Sequence, residues 1–328
     1  MSKLVTIYGG SGFVGRYIAR RMAQAGWRVR VATRRPNEAL FVRPYGVVGQ
    51  VEPVLCNIRD EASVRAALQG ADAVVNCVGL LNAVGKNTFD ALQSEGAARV
   101  ARLAAAEGVQ HLVHISAIGA DAGSDSDYSR TKGEGEAAVL ANFPSAVILR
   151  PSVLFGNEDK FFNRLGLIAR MSPVMPVFGA ESKFQPAYVE DVAAAAVMGA
   201  TGEAAPGIYE LGGPDVETLA DLTRATATIV NRRRLALPLP RFVGRLIAFG
   251  FGTLQTLSGG LIENKILTAD QLKNLYRDNV VAPGAKGFAD LGITPTAYAA
   301  VLPDYMWPYR PSGQFDAIKA SAKNVRKA

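Results

Sequence analysis

The sequence is poor in the residues that build covalent or metal-bound frameworks. Of its 328 residues only Cys56 and Cys77 are cysteines, and only His111 and His114 are histidines. Two thiols exclude a disulfide scaffold and a cysteine-rich zinc module, and they point to a reducing compartment. Two histidines three apart on a strand-like run project to opposite faces, so they cannot chelate one ion from that strand, and no metal is expected. Both read as structural, as do Cys56 and Cys77, on neighbouring sheet runs, as small buried fillers. The opening MSKLVTIYGG has no apolar stretch of signal-peptide length and no Arg/Ser-rich amphipathic leader, so no export signal is expected. The one long apolar run, from Phe242 to Ile262, holds five glycines and Gln255. It reaches spanning length only marginally and with poor helix formers, which argues against a transmembrane helix.

What is present is an ordinary globular composition, 49% apolar and 20% charged. At roughly 150 residues per domain the chain holds one large domain or two moderate ones. Net charge is 36 minus 29, or +7, and the excess is local. Leu222 to Ile262 carries Arg224, Arg232, Arg233, Arg234, Arg241 and Arg245 with no acid; beyond Pro308 come Arg310, Lys319, Lys323, Arg326 and Lys327 against Asp316 alone. An apolar run flanked by arginines suits a membrane surface or a groove on a partner subunit, and equally a cap helix buried on its own sheet. No nucleic-acid reading motif accompanies the charge.

Short β-branched runs at Leu4–Tyr8, Val29–Thr33, Val54–Cys56, Ala73–Cys77, Leu112–Ser116 and Val147–Leu149 alternate with helical spacing, notably over Phe13–Ala25 and Phe89–Glu107, each halted by a glycine. Six strands with helical crossovers predict an α/β fold, a Rossmann-type doubly wound parallel sheet, with its ligand outside the carboxyl ends of the strands. After Arg150, prolines at 151, 173, 176, 186, 206 and 214 break the alternation. The expected division is a dinucleotide-binding domain over 1–152, a smaller C-terminal α/β cap over 153–310 interleaved with it, and a basic tail over 311–328.

Directly after the first strand comes Gly9-Gly10-Ser11-Gly12-Phe13-Val14-Gly15, opening a helix. Missing Cβ atoms permit the tight turn and a close backbone approach to a pyrophosphate, and the helix N-terminus adds partial positive charge. About 20 residues further on, where an NAD site wants a carboxylate on the ribose hydroxyl, stand Thr33-Arg34-Arg35. Two guanidinium groups suit a 2′-phosphate, favouring NADP(H) over NAD(H). Tyr128 and Lys132 lie four apart at the start of a helical stretch and share a face; a nearby cation favours phenolate and would make Tyr128 an acid or base near neutrality. Ser116, ending the fifth strand, is placed to orient a carbonyl or hydroxyl. Asp191 reads as a helix cap.

GGSGFVG, YSRTK and RPSVLFG, with QPAYVEDV and YELGG further on, resemble the extended or atypical short-chain dehydrogenase/reductase superfamily; the last two resemble its cap segments. More narrowly, HISAIGAD (114–121), SDYSRTKGEGE (126–136), RPSVLFGNEDKFFNRL (150–165) and FQPAYVEDVA (184–193) look like the nucleotide-binding accessory subunit of respiratory complex I. That resemblance implies a tightly held NADPH, partners among the subunits of NADH:ubiquinone oxidoreductase, and a peripheral place on the cytoplasmic face of a bacterial inner membrane or the matrix face of a mitochondrial one. It places the pyrophosphate on Gly9, Gly12 and Gly15, with Phe13 and Val14 also in the cofactor site, the 2′-phosphate on Arg34 and Arg35, and the adenine edge on Asn57 and Ile58. Cys77, Val78 and Gly79 would line the ribose side, with Ser116, Tyr128, Lys132, Pro151 and Val153 around the nicotinamide ribose. Asn57 stands where many relatives have Asp. A free-standing NADP-dependent epimerase, dehydratase or reductase using Tyr128 and Lys132, and a nucleotide-sensing regulator, are the competing readings.

Overall fold

The computed structural model describes residues 2–257 and 268–315. Strands β1 (Leu4–Tyr8), β2 (Arg28–Thr33), β3 (Val51–Leu55), β4 (Ala73–Asn76), β5 (His111–Ile115) and β6 (Val147–Pro151) form one parallel sheet. Their crossovers carry helices α1 (Phe13–Gln24), α2 (Glu61–Leu68), α3 (Glu95–Ala106) and α4 (Asp127–Asn142). β3 starts three residues earlier than the sequence suggests, because Pro53 sits on an edge strand, where its missing N–H leaves no ladder bond unmade on the open side. The helix expected from Phe89 onward begins instead as a π-turn, Asp90–Ser94. α4 presses on that widened turn at Gly135, where a Cβ would lie 2.3 Å from the Gln93 carbonyl oxygen.

Beyond β6 the chain alternates between cap and sheet. β7 (Leu154–Phe155) leads to α5 (Phe162–Met171), β8 (Val174–Phe178), β9 (Lys183–Phe184), β10 (Ala187–Tyr188) and α6 (Val189–Thr201). β11 (Gly207–Leu211) then joins β6 as a seventh parallel strand, giving the order β11-β6-β5-β4-β1-β2-β3. Tyr209 to Leu211 therefore belongs to the central sheet rather than to the cap, and the sheet has seven strands where six were expected. α6 packs beside α1 on one face, around Ile18, Val31, Val113 and Val192, while α2, α3 and α4 cover the other around Val64, Leu103 and Leu112. Burial on both faces is what near-continuous strands such as LVTIY require.

The cap comprises α5, β12 (Glu217–Thr218) against β9, α7 (Leu219–Ile229), β13 (Leu235–Leu239) against β8, α8 (Arg241–Leu257), α9 (Ala269–Leu275) and α10 (Tyr298–Tyr305). Its own core gathers Phe155, Phe162, Met175, Leu222 and Leu302. Among the described residues no helix is long and apolar enough to cross a membrane. In α8, Phe242, Leu246 and Phe249 stay 68–70% exposed on one side while Gly244 and Ala248 pack inward. Residues 258–262 of the apolar run, and the tail from Asp316 with Lys319, Lys323, Arg326 and Lys327, lie outside the described residues.

Candidate functional site

The strand order reverses between β1 and β4, and the glycine loop sits at that crevice. Gly9 adopts φ +73° and donates to the Ala32 carbonyl at 3.0 Å, while Gly12 N donates to Gly9 O at 2.9 Å, closing the turn. A Cβ on Gly15 would lie 2.4 Å from Gly9 O and 2.6 Å from Gly10 Cα, so α1 can sit this close to the loop only with glycine there. α1 carries no acidic residue in its first turn and no side-chain cap. The N–H groups of Phe13, Val14 and Gly15 precede the first intrahelical bond, Arg16 N to Gly12 O, and form a cradle for an anion. Behind it the Gly156–Asp159 turn is braced on α1: Glu158 accepts from Tyr17 Oη at 2.7 Å and pairs with Arg16 at 3.1 Å.

At the end of β2, Ser11 Oγ donates to Thr33 Oγ1 at 3.1 Å, joining the loop to the following Arg34 and Arg35. The two arginines are exposed and not equivalent: Arg35 pairs with Glu38, whereas Arg34 has no ion pair among the described residues. After β3, Asn57 Oδ1 takes the Arg59 N–H at 3.2 Å in a tight local turn, and buried Ile58 packs against Gly96. Cys56 and Cys77 do not neighbour one another, since β2 and β1 lie between the strands they follow. Burial pushes the Cys77 thiol up to about 12, against the opposing pull of Lys132, and so disfavours the thiolate.

Lys132 reaches in from α4, donating to Ile115 O at 2.9 Å and lying under Gly79, whose Cβ would be 3.5 Å from Nζ. Its burial lowers the ammonium to about 8, partly offset by Glu136. Burial also drives Tyr128 up to about 12. The expected lowering by Lys132 is not seen in this structure, where desolvation governs the phenol. Ser116 Oγ is buried at the β5 end with no hydrogen-bond partner among the described residues, as is His114 Nε2. His114 Nδ1 meets Asn76 Nδ2 at 3.2 Å, and burial depresses the imidazole to about 3, so it stays neutral. Its neighbour His111 packs under Gly202, across the sheet.

Pro151 ends β6, and Val153 follows it. Val153 N donates to Asn279 Oδ1 at 3.0 Å and Ser152 Oγ to the same oxygen at 2.7 Å. Asn279, and Asp270 on α9, are parts of this region that sequence reasoning missed; the contacts of Asn279 with Val153 and of Asp270 with Ser126 span 126 and 144 residues and leave no local signal. Asp191 is not the cap of α6: Tyr188 holds that position, and the Asp191 carboxylate accepts from Thr296 N at 2.7 Å.

The glycine cradle at the switch point, the two arginines after β2 and the buried hydroxyl at the β5 end have the arrangement of a dinucleotide-type Rossmann fold, here with a cap beside it. The family profile described as the NAD dependent epimerase/dehydratase family matches residues 5–212, and the chain belongs to that family. It is 29% identical to the mitochondrial NADH-ubiquinone oxidoreductase 40 kDa subunit of Neurospora crassa, over 98% of this chain and 84% of that protein. It is 32% identical to ceramide reductase of Caulobacter vibrioides, over 72% of this chain and 74% of that protein. In fold it matches epimerase Mth375 of Methanothermobacter thermautotrophicus, with TM-score 0.66 at 17% identity over 100% and 95% of the two chains.

Proposed function

We propose that the chain is an NADPH-binding accessory subunit of an NADH:quinone oxidoreductase, holding the nucleotide chiefly as a structural element. The carrying observation is the similarity along 98% of the chain to a subunit of that enzyme, cap included, joined to a complete phosphate cradle. Arg34, free of any ion pair among the described residues, takes the 2′-phosphate, with Arg35 and the Ser11 and Thr33 hydroxyls beside it. Phe13, Val14 and Gly15 supply N–H groups to the pyrophosphate. Asn57 and Ile58 border the adenine; Val78, Gly79, Ser116, Tyr128, Lys132, Pro151 and Val153 surround the second ribose. A bound nicotinamide would supply hydride chemistry; in the chain by itself, burial raises the Tyr128 phenol, which works against proton exchange at neutral pH. The exposed Phe242, Leu246 and Phe249 beside Arg241 and Arg245 form the face that meets the membrane-side partner or anionic lipid. Bound cofactor stabilises the fold by mass action whether or not hydride moves.

The second reading, a free NADP-dependent reductase, draws on the intact Tyr128, Lys132 and Ser116 and on the likeness to ceramide reductase. Separating gently solubilised membranes by size distinguishes the two. The subunit comigrates with NADH:quinone oxidoreductase activity; a small soluble species that reduces a substrate with NADPH replaces that conclusion with the second.

A further inference from the structure

Helix α4, which carries Tyr128 and Lys132, begins weakly on its own account. Its N-cap Ser126 accepts from Ser129 N at only 3.4 Å, leaving the N–H groups of Asp127 and Tyr128 to find partners elsewhere. They find them on one carboxylate from the far end of the chain. Asp270 accepts from Asp127 N at 2.8 Å, from Tyr128 N at 3.3 Å and from Ser126 Oγ at 3.1 Å. Asn274, one turn on, donates to Ser126 Oγ at 3.0 Å and accepts from Ser129 Oγ at 3.3 Å. A carboxylate at the start of a 16-residue helix is favoured by the helix dipole.

The same short helix grips the opposite wall. Gln271 Nε2 donates to Asn82 Oδ1 at 2.7 Å and to Leu81 O at 3.4 Å, on the loop that continues from Val78 and Gly79. Buried Leu272 between them is pressed against α8 at Gly244. α9 thus spans both walls of the second-ribose half of the cleft, and its hydrogen bonds among the described residues go to those walls rather than to the glycine loop or Arg34.

We propose that Asp270 is a positioning residue of the nucleotide site, holding the start of α4 so that Tyr128 and Lys132 stand against the nicotinamide ribose. This rests on the nucleotide-binding reading above. The test compares two ligands on the full-length chain: NADPH, which fills both halves, and 2′,5′-ADP, which fills only the adenine and phosphate half. Asp270→Ala weakens NADPH about tenfold, the order of a charged helix cap, and leaves 2′,5′-ADP within about twofold. Asp270→Asn, which keeps one acceptor, falls between, and still weakens NADPH more than 2′,5′-ADP should the alanine variant not fold. Parallel loss of both ligands, or loss of neither, overturns the positioning role. A wild-type chain that binds neither ligand overturns the nucleotide reading itself, and the proposal with it.

Discussion

Replacing Gly15 with alanine tests the phosphate cradle where it has least room. The added methyl would lie 2.4 Å from Gly9 O and 2.6 Å from Gly10 Cα, both backbone atoms that cannot rotate away. Against an ordinary contact of about 3.5 Å the overlap is about 1 Å, so helix and loop must part by that much. A shift of this size takes 2.9 Å hydrogen bonds out of useful range. Losing two charge-assisted bonds to a pyrophosphate, at about 1.5–3 kcal/mol each, removes about 3–6 kcal/mol, a fall of about 10²–10⁴ in affinity. The overpacking itself lowers the stability of the empty protein by about 1–3 kcal/mol. Gly12→Ala is the graded control: its Cβ meets only Gly9 O, at 3.1 Å, and its loss is smaller. Titration of NADPH by fluorescence, beside denaturant unfolding of the same variants, reads both effects. Near-wild-type affinity in Gly15→Ala would refute the cradle.

Four further outcomes are expected. Arg34→Ala weakens NADPH relative to NADH by about tenfold or more, and Arg35→Ala by less because Glu38 already holds it; equal losses for the two nucleotides remove the 2′-phosphate assignment. With the Lys132 ammonium lowered to about 8 and an unfolded value of about 10.4, only the unfolded chain holds that proton between those pH values. Stability from this group therefore rises with pH across the window and is flat below it; the unfolding free energies of wild type and Lys132→Met should diverge there, and parallel curves would contradict the buried lysine. His114, depressed to about 3, gives an imidazole NMR shift that does not move between pH 8 and about 5; a midpoint near 6.5 would show that the ring is solvated. Tyr128→Phe leaves assembly with the oxidoreductase unchanged, whereas loss of a measured turnover would favour the free-enzyme reading.

The parts legible in the sequence are those whose physics is local. Gly9 to Gly15 between a strand and a helix announces a phosphate loop, and runs such as LVTIY announce a strand buried on both faces. Where the chain leaves the sheet and returns, local pattern fails: β11 follows an irregular, proline-marked stretch, and only its pairing with β6 makes it a strand of the core. Tyr128 shows the same limit in electrostatics. Spacing puts Lys132 one turn away, but the Ile115 carbonyl that captures the ammonium, and the burial that raises the phenol, are tertiary facts. Asp270 and Asn279 are further cases, polar side chains unremarkable in sequence that hold the cleft from 120 residues or more away.

The bound nucleotide can be counted directly. Isolate the NADH:quinone oxidoreductase that carries this chain, denature it, and quantify the nucleotide released per copy of the chain. About one NADP(H) per copy is expected with the wild-type chain and little with Gly15→Ala. A wild-type chain that is absent from the complex, or that releases no nucleotide or only NAD(H), would contradict it.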